Sequence, residues 1–204
     1  MKIKKGFTLL ELLIVIGILA ILSTTIVLVI NPAELLKKAR DSQRISDLNT
    51  VKTAIAYYIT EAVDLNIGNA TSTYSDADGV VCTFDGEGSE RLGDANQGEL
   101  TASIAGWIPI AFNTMTGGSP IASLPQDPAV EISTGNHYYV YGVASDTDYT
   151  FKLVANMEST YYSNGGDGTV ESTDGGTVDT LYEVGTDMTL TVTTGTNCFD
   201  DTGV

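Results

Sequence analysis

The chain has 204 residues and sets 26 acidic side chains against 10 basic ones, a formal charge of −16. Residues 1–52 hold eight of the basic groups and four of the acidic ones, which leaves only Arg91 and Lys152 against 22 acidic groups from residue 53 onward, a balance of −20. Phosphate contacts need clustered Lys and Arg, so bulk electrostatics exclude nucleic-acid binding and no direct nucleic-acid partner is expected. One histidine and two cysteines are too few for a structural zinc site built from four such ligands.

Met1–Gly6 (MKIKKG) is short and basic. Phe7–Ile30 then runs for 24 residues with a single charge, Glu11. As a helix rising about 1.5 Å per residue it is roughly 36 Å long, enough to cross a hydrocarbon core of about 30 Å with some tilt. A secretory signal peptide has a shorter apolar region, about 7–15 residues, ending in an A-x-A-like site. Gly17, Ala20 and Ser23 are not spaced for that, so the segment is expected to be retained. Basic groups flank it on both sides (Lys2, Lys4 and Lys5, then Lys37, Lys38, Arg40 and Arg44), and charge counting alone does not orient it. The acidic remainder with two distant cysteines suits an oxidising, extracytoplasmic compartment.

Glu11 is the sharpest feature of the span. A carboxylate at the bilayer midplane costs about 2.5–3.5 kcal/mol and usually persists because it has a partner. Nothing else in Phe7–Ile30 can neutralise it, so the expected partner lies elsewhere. Cleavage after Gly6 would create an α-amine at Phe7, four residues away, and on an axially shifted copy that amine can meet Glu11. The alternative is an acid snorkelling to the interface.

Lys4-Lys5-Gly6-Phe7-Thr8-Leu9-Leu10-Glu11-Leu12-Leu13-Ile14-Val15-Ile16 resembles the class III signal of type IV pilins and type II secretion pseudopilins. The resemblance implies cleavage between Gly6 and Phe7 by a membrane prepilin peptidase and N-methylation of Phe7. It also implies pairing of Glu11 with the terminal amine of an adjacent subunit during polymerisation. The implied partners are copies of the chain itself in a helical homopolymer, the peptidase, the inner membrane, and pilus or secretion machinery with a separate ATPase. The chain has no nucleotide motif of its own.

Asn31-Pro32-Ala33-Glu34 ends the span and restarts a helix. Asn31 can cap, Pro32 suits the first helical position, and Glu34 can reach back as in a capping box, with a kink expected at Pro32. Many pilins carry a proline or melted segment in this stretch. Ala33–Val63 reads as amphipathic, with Leu35, Ala39, Ser42, Ile45, Leu48, Val51, Ile55, Tyr58 and Ala62 on one stripe. From Ile45 onward that stripe is expected to pack into a core. The opposite face carries Lys37, Lys38, Arg40, Arg44, Asp47 and Lys52, and its Lys37–Arg44 portion reads either as a partner for lipid headgroups or acidic neighbours or as a solvated face.

Residues 64–204 read as an extracytoplasmic globular head. Its first part, 64–100, is rich in turn formers and reads as a long loop with short strands near Val80–Phe84. A short helix is expected at Glu99–Ala105, and a rigid connection at Leu124-Pro125-Gln126-Asp127-Pro128. His137–Val143 and Tyr149–Ala155 form an expected antiparallel hairpin turning at Ala144–Asp148. Strands near Leu181–Val184 and Met188–Thr193 are expected to join the same sheet, which would then occupy about 137–193. The predicted class is α+β: a long N-terminal helix, kinked near Pro32, whose amphipathic half packs on a small antiparallel sheet. The order of the Pro-rich connection, Tyr-rich strand and hairpin resembles the C-terminal region of pilins and of the major pseudopilin.

No G-x-S-x-G, Walker A, H-E-x-x-H or C-x-x-C sequence is present, and the chain is not expected to be an enzyme. His137 reads as a packed or surface residue. Cys82 and Cys198 can close a disulfide, contributing on the order of 4–5 kcal/mol in the chain-entropy model, or remain free thiols. Asn164–Asp187 places Asp167, Glu171, Asp174, Asp179 and Asp187 in a glycine-rich stretch able to offer oxygen ligands to calcium, without the spacing of an EF-hand. A solvated acidic loop is the competing reading. No other cofactor is expected. The functional expectation is a pilin that is processed, held in the inner membrane and polymerised into a surface or periplasm-spanning filament. A type II secretion pseudopilin is the alternative, and a non-polymerising membrane-anchored binding protein a further one.

Overall fold

The computed structural model describes residues 6–62, 65–68, 72–75, 83–84, 89–90, 107–129, 137–145, 148–190 and 192–193. The chain begins with two helices in series, α1 (Leu9–Ile30) and α2 (Pro32–Glu61). Within α1 the only polar side chains of the middle turns are satisfied by the helix itself: Ser23, Thr24 and Thr25 donate back to the carbonyls of Leu19, Ala20 and Leu22. Leu9–Ile26 has a mean hydropathy of 2.5 with none of its residues buried, so by length and composition this helix can cross a membrane.

The expected kink is a full break. Asn31 adopts the left-handed conformation (φ 44°, ψ 76°), which a short polar side chain tolerates better than most. It ends α1 and caps α2, its carbonyl accepting from the amides of Glu34 and Leu35 at 3.1 and 3.3 Å and its side-chain oxygen from that of Glu34 at 3.4 Å. Pro32 follows as the first residue of α2, where it has no amide to leave unpaired. Glu34 does not close the capping box expected of it. Its carboxylate accepts instead from the amide and hydroxyl of Thr160, at 2.6 and 2.8 Å.

The stripe on α2 divides as expected. Leu48, Val51, Ala54, Ile55 and Tyr58 are buried, whereas Leu35, Leu36 and Ala39 are exposed. The buried half lies against a sheet of strands β1 (Ser72–Ser75), β3 (Ser89–Glu90), β4 (Val140–Ser145), β5 (Thr150–Ala155) and β6 (Tyr182–Gly185), in the order β3-β1-β4-β5-β6. β1, β4, β5 and β6 pair antiparallel, and β3 adds a parallel edge. Tyr141, Val143, Phe151, Leu153, Ala155, Tyr182 and Val184 join the core with α2, Trp107, Ile108, Ile110 and Phe112, as the two-residue alternation of a strand requires. Tyr58 meets Phe112 edge to face at 5.8 Å, and the Trp107 indole donates to the carbonyl of Pro125, which seats the Pro-rich connection.

Three strand expectations change. The segment 64–100 contributes β1, which lies between β3 and β4, although STYS carries no long apolar pattern to announce it. Thr83–Phe84 is a strand (β2), within the Val80–Phe84 region expected. It pairs with β7 (Val192–Thr193) in a separate two-stranded ladder, so the Met188–Thr193 segment does not extend the main sheet. His137 precedes β4, which runs on to Ser145 through a register shift between Val143 and Ser145. The expected helix at Glu99–Ala105 lies outside the described residues.

Candidate functional site

Gly6–Thr8 forms no helix, and α1 starts at Leu9 because Thr8 caps it. The Thr8 hydroxyl accepts from the Glu11 amide at 3.2 Å. Glu11 reaches back, its Oε2 accepting from the Thr8 amide at 2.9 Å and the Thr8 hydroxyl at 2.8 Å. This is a complete capping box. Thr8 thus supplies Glu11 with hydrogen bonds within the same chain. Those bonds leave the negative charge in place, and among the described residues Oε1 accepts no hydrogen bond. Phe7 is 86% exposed, so the Gly6–Phe7 bond sits in exposed, non-helical chain just before the helix.

The charges of α2 are used differently from a solvated or lipid-facing band. Arg44, read as part of the polar face, is fully buried. It donates to Asp127 through Nε and Nη2 (2.7 and 2.8 Å), to Asp41 through Nη1 (2.7 Å) and to Glu158 through Nη2 (2.9 Å). Asp41 is also buried and takes the amides of Glu158 and Ser159 at 2.9 and 2.8 Å. Arg40 pairs with the other side of Glu158. Burial alone would raise the Glu158 carboxyl, but the hydrogen bonds from Arg40 and Arg44 outweigh it and hold the group at about 2. His137 lies 3.7 Å from Glu158, partly buried. Burial, and after it the Arg44 charge, keeps its pKa below the ordinary histidine value.

A second buried pair lies on the far face of the sheet. Lys152 on β5 and Glu183 on β6 are ion-paired with both side chains fully buried. The Lys152 ammonium also donates to Thr177 Oγ1 (3.0 Å), the Met188 carbonyl (3.3 Å) and the Leu190 carbonyl, and Glu183 Oε2 accepts from the amides of Thr177 and Val178. One of the two basic groups beyond residue 53 is thereby spent in the interior.

These contacts overturn the picture of Asn164–Asp187 as a solvated loop: the segment folds over the sheet and is anchored there. Of the five carboxylates considered for calcium, Glu171 is buried and accepts from the amides of Met157 (3.1 Å) and Asn164 (2.7 Å), Asp174 accepts from those of Gly176 and Glu183, and Asp187 accepts from the amide and hydroxyl of Thr189. Asp167 and Asp179 are exposed. Among the described residues no three His, Cys, Asp or Glu side chains form a group able to hold a metal ion. Cys82 and Cys198 lie outside the described residues.

Burial pushes the Glu171 carboxyl up to about 7, against the two amide donors. A folded-state pKa above the unfolded one means that the favourable contribution is complete below the unfolded value, about 4.3, and is lost as pH rises through 7. Between pH 5 and 8 the head is expected to lose on the order of 2 kcal/mol from this group. Glu171→Gln removes that slope, although its amide nitrogen faces one backbone donor and lowers stability at pH 5. Urea unfolding of both chains across the pH range measures the difference.

Residues 1–27 match the family model described as the prokaryotic N-terminal methylation motif. This is the class III signal of type IV pilins and pseudopilins, and it supports a pilin-like or pseudopilin precursor, anchored through its apolar N-terminal helix. No curated protein and no solved structure matches the chain.

Proposed function

We propose that the chain is a structural subunit of a type IV pilus-like filament. In this reading residues 1–6 are a leader removed by prepilin peptidase, 7–30 the membrane and polymerisation helix, 31–63 the amphipathic helix and 64–204 the extracytoplasmic head. The observation that carries it is the placement of Gly6–Phe7 in exposed, non-helical chain just ahead of a capped helix bearing Glu11, inside the matched motif. Polymerisation replaces lipid around α1 by copies of α1. The free Oε1 of Glu11 takes the N-methylated amine of Phe7 from a neighbour, an attraction strengthened by the low dielectric. The energy for extraction comes from a separate ATPase. The motif is shared with pseudopilins, so a filament on the cell surface supports the pilus reading and one confined to the periplasm the secretion reading.

Mass spectrometry of the N-terminus of protein from its native cells tests this. The expected mature chain begins at N-methyl-Phe7, and a Gly6→Leu variant retains its first six residues and forms no filaments visible by electron microscopy. An intact leader on the native chain would make the segment a plain membrane anchor and end the filament reading.

A further inference from the structure

The upper turns of α2 pose a packing problem. Between the break at Asn31 and the first core residues, the apolar side chains Leu35, Leu36 and Ala39 are exposed, so among the described residues this stretch lends no buried apolar side chain to the core. A helix this short, without tertiary support, is marginal in water. It is instead gripped along its length by the segment that follows β5, joined at Arg44 by Asp127. Thr160 donates twice to Glu34, the Lys38 ammonium lies 4.1 Å from the centre of the Tyr161 ring, and Glu158 pairs with Arg40 and Arg44. The amides of Glu158 and Ser159 donate to Asp41, and the hydroxyls of Ser42 and Tyr162 meet at 3.2 Å.

We infer that Glu158–Tyr162 is a polar clasp that makes α2 one body with the head from its first turn, so that bending between the membrane helix and the head is confined to Asn31–Pro32. The clasp contacts begin at Glu34, three residues past the left-handed Asn31, and leave no unsupported helix between joint and head. Were the clasp absent, the joint would widen to the whole stretch from Asn31 to the core, and the head would swing on a frayed helix. The inference concerns the single chain and does not depend on whether copies polymerise, so its failure is separable from failure of the filament reading.

Amide hydrogen exchange of the full-length chain in detergent micelles tests it. In the wild type, residues 36–44 are expected to exchange as slowly as residues 48–58, with fast exchange limited to the few amides around the break. Glu158→Ala is expected to accelerate 36–44 by about tenfold or more while leaving 48–58 and β5 unchanged. If Glu158→Ala loosens the whole head, Glu34→Ala combined with Arg40→Gln removes the outer half of the clasp without emptying the buried site, and the same selective acceleration is expected. Fast exchange throughout 36–44 in the wild type, or no selective acceleration in the variant that keeps its fold, overturns the inference.

Discussion

Arg44→Met is expected to lower the unfolding free energy of the head by about 3–5 kcal/mol, because it leaves Asp41, Asp127 and Glu158 around a buried site without their shared cation. The size follows from what remains, not from what is removed. A methionine of similar length fills much of the space, but the Asp127 carboxylate loses both its guanidinium donors and Asp41 loses one of three. Urea unfolding of the purified full chain in micelles measures it. The companion result is a pH dependence: Glu158 is held at about 2, below its unfolded value, so its favourable contribution is present above about 4.3 and lost as pH falls toward 2. In Arg44→Met that acid-side loss is expected to shrink, because without the Arg44 hydrogen bond and charge the Glu158 carboxyl moves back toward its unfolded value. A change below about 1 kcal/mol would mean that the site admits water and that the ion cluster contributes little.

Lys152→Met is expected to cost a similar amount, about 3–5 kcal/mol, by stranding the buried Glu183 carboxylate. Adding Glu183→Gln should recover a large part, since the neutral amide oxygen can still accept from Thr177 and Val178 while no unpaired charge remains. The lost bonds to the Thr177 hydroxyl and the Met188 and Leu190 carbonyls set the part that is not recovered. Because these partners belong to the segment covering the far face of the sheet, the single variant is also expected to raise proteolytic sensitivity within residues 164–190 before the core unfolds. Equal cost for single and double variants would show that anchoring the covering segment, not burial of charge, dominates.

Much of this molecule was legible in local pattern. The long apolar run identifies α1, the Gly6-Phe7…Glu11 spacing identifies the motif, and Asn31-Pro32 places the break, because chain direction and helix termination depend on nearest neighbours in sequence. The core half of α2 was equally plain, since Leu48, Val51, Ile55 and Tyr58 recur at helical spacing. The central hairpin and β6 were readable from alternating aromatic and branched residues, with their ends shifted by a few positions.

The charged residues were not legible in the same way. Arg44 and Lys52 look alike on a helical wheel, yet Arg44 is sealed and Lys52 is not, because Asp127 and Glu158 arrive from positions 83 and 114 residues away. Lys152 sat in an otherwise apolar strand without announcing that Glu183 would stand opposite it. β1 was missed for a related reason, since a short polar strand becomes one only when a neighbour's ladder of amides and carbonyls is beside it. The Thr8 cap, by contrast, is local: a Thr three residues before a Glu is a capping box written in sequence.

By itself, then, the sequence determined a membrane-capable helix, the N-terminal methylation motif, the joint after it and the α+β character of the head, all of which rest on short-range periodicity and on residues acting within a turn of one another. Only the tertiary structure decided which charges are buried, what fastens the upper turns of α2, and that the acidic glycine-rich segment covers a sheet face. A side chain's burial and its counter-ion depend on groups brought together by the fold, and no local pattern carries that information.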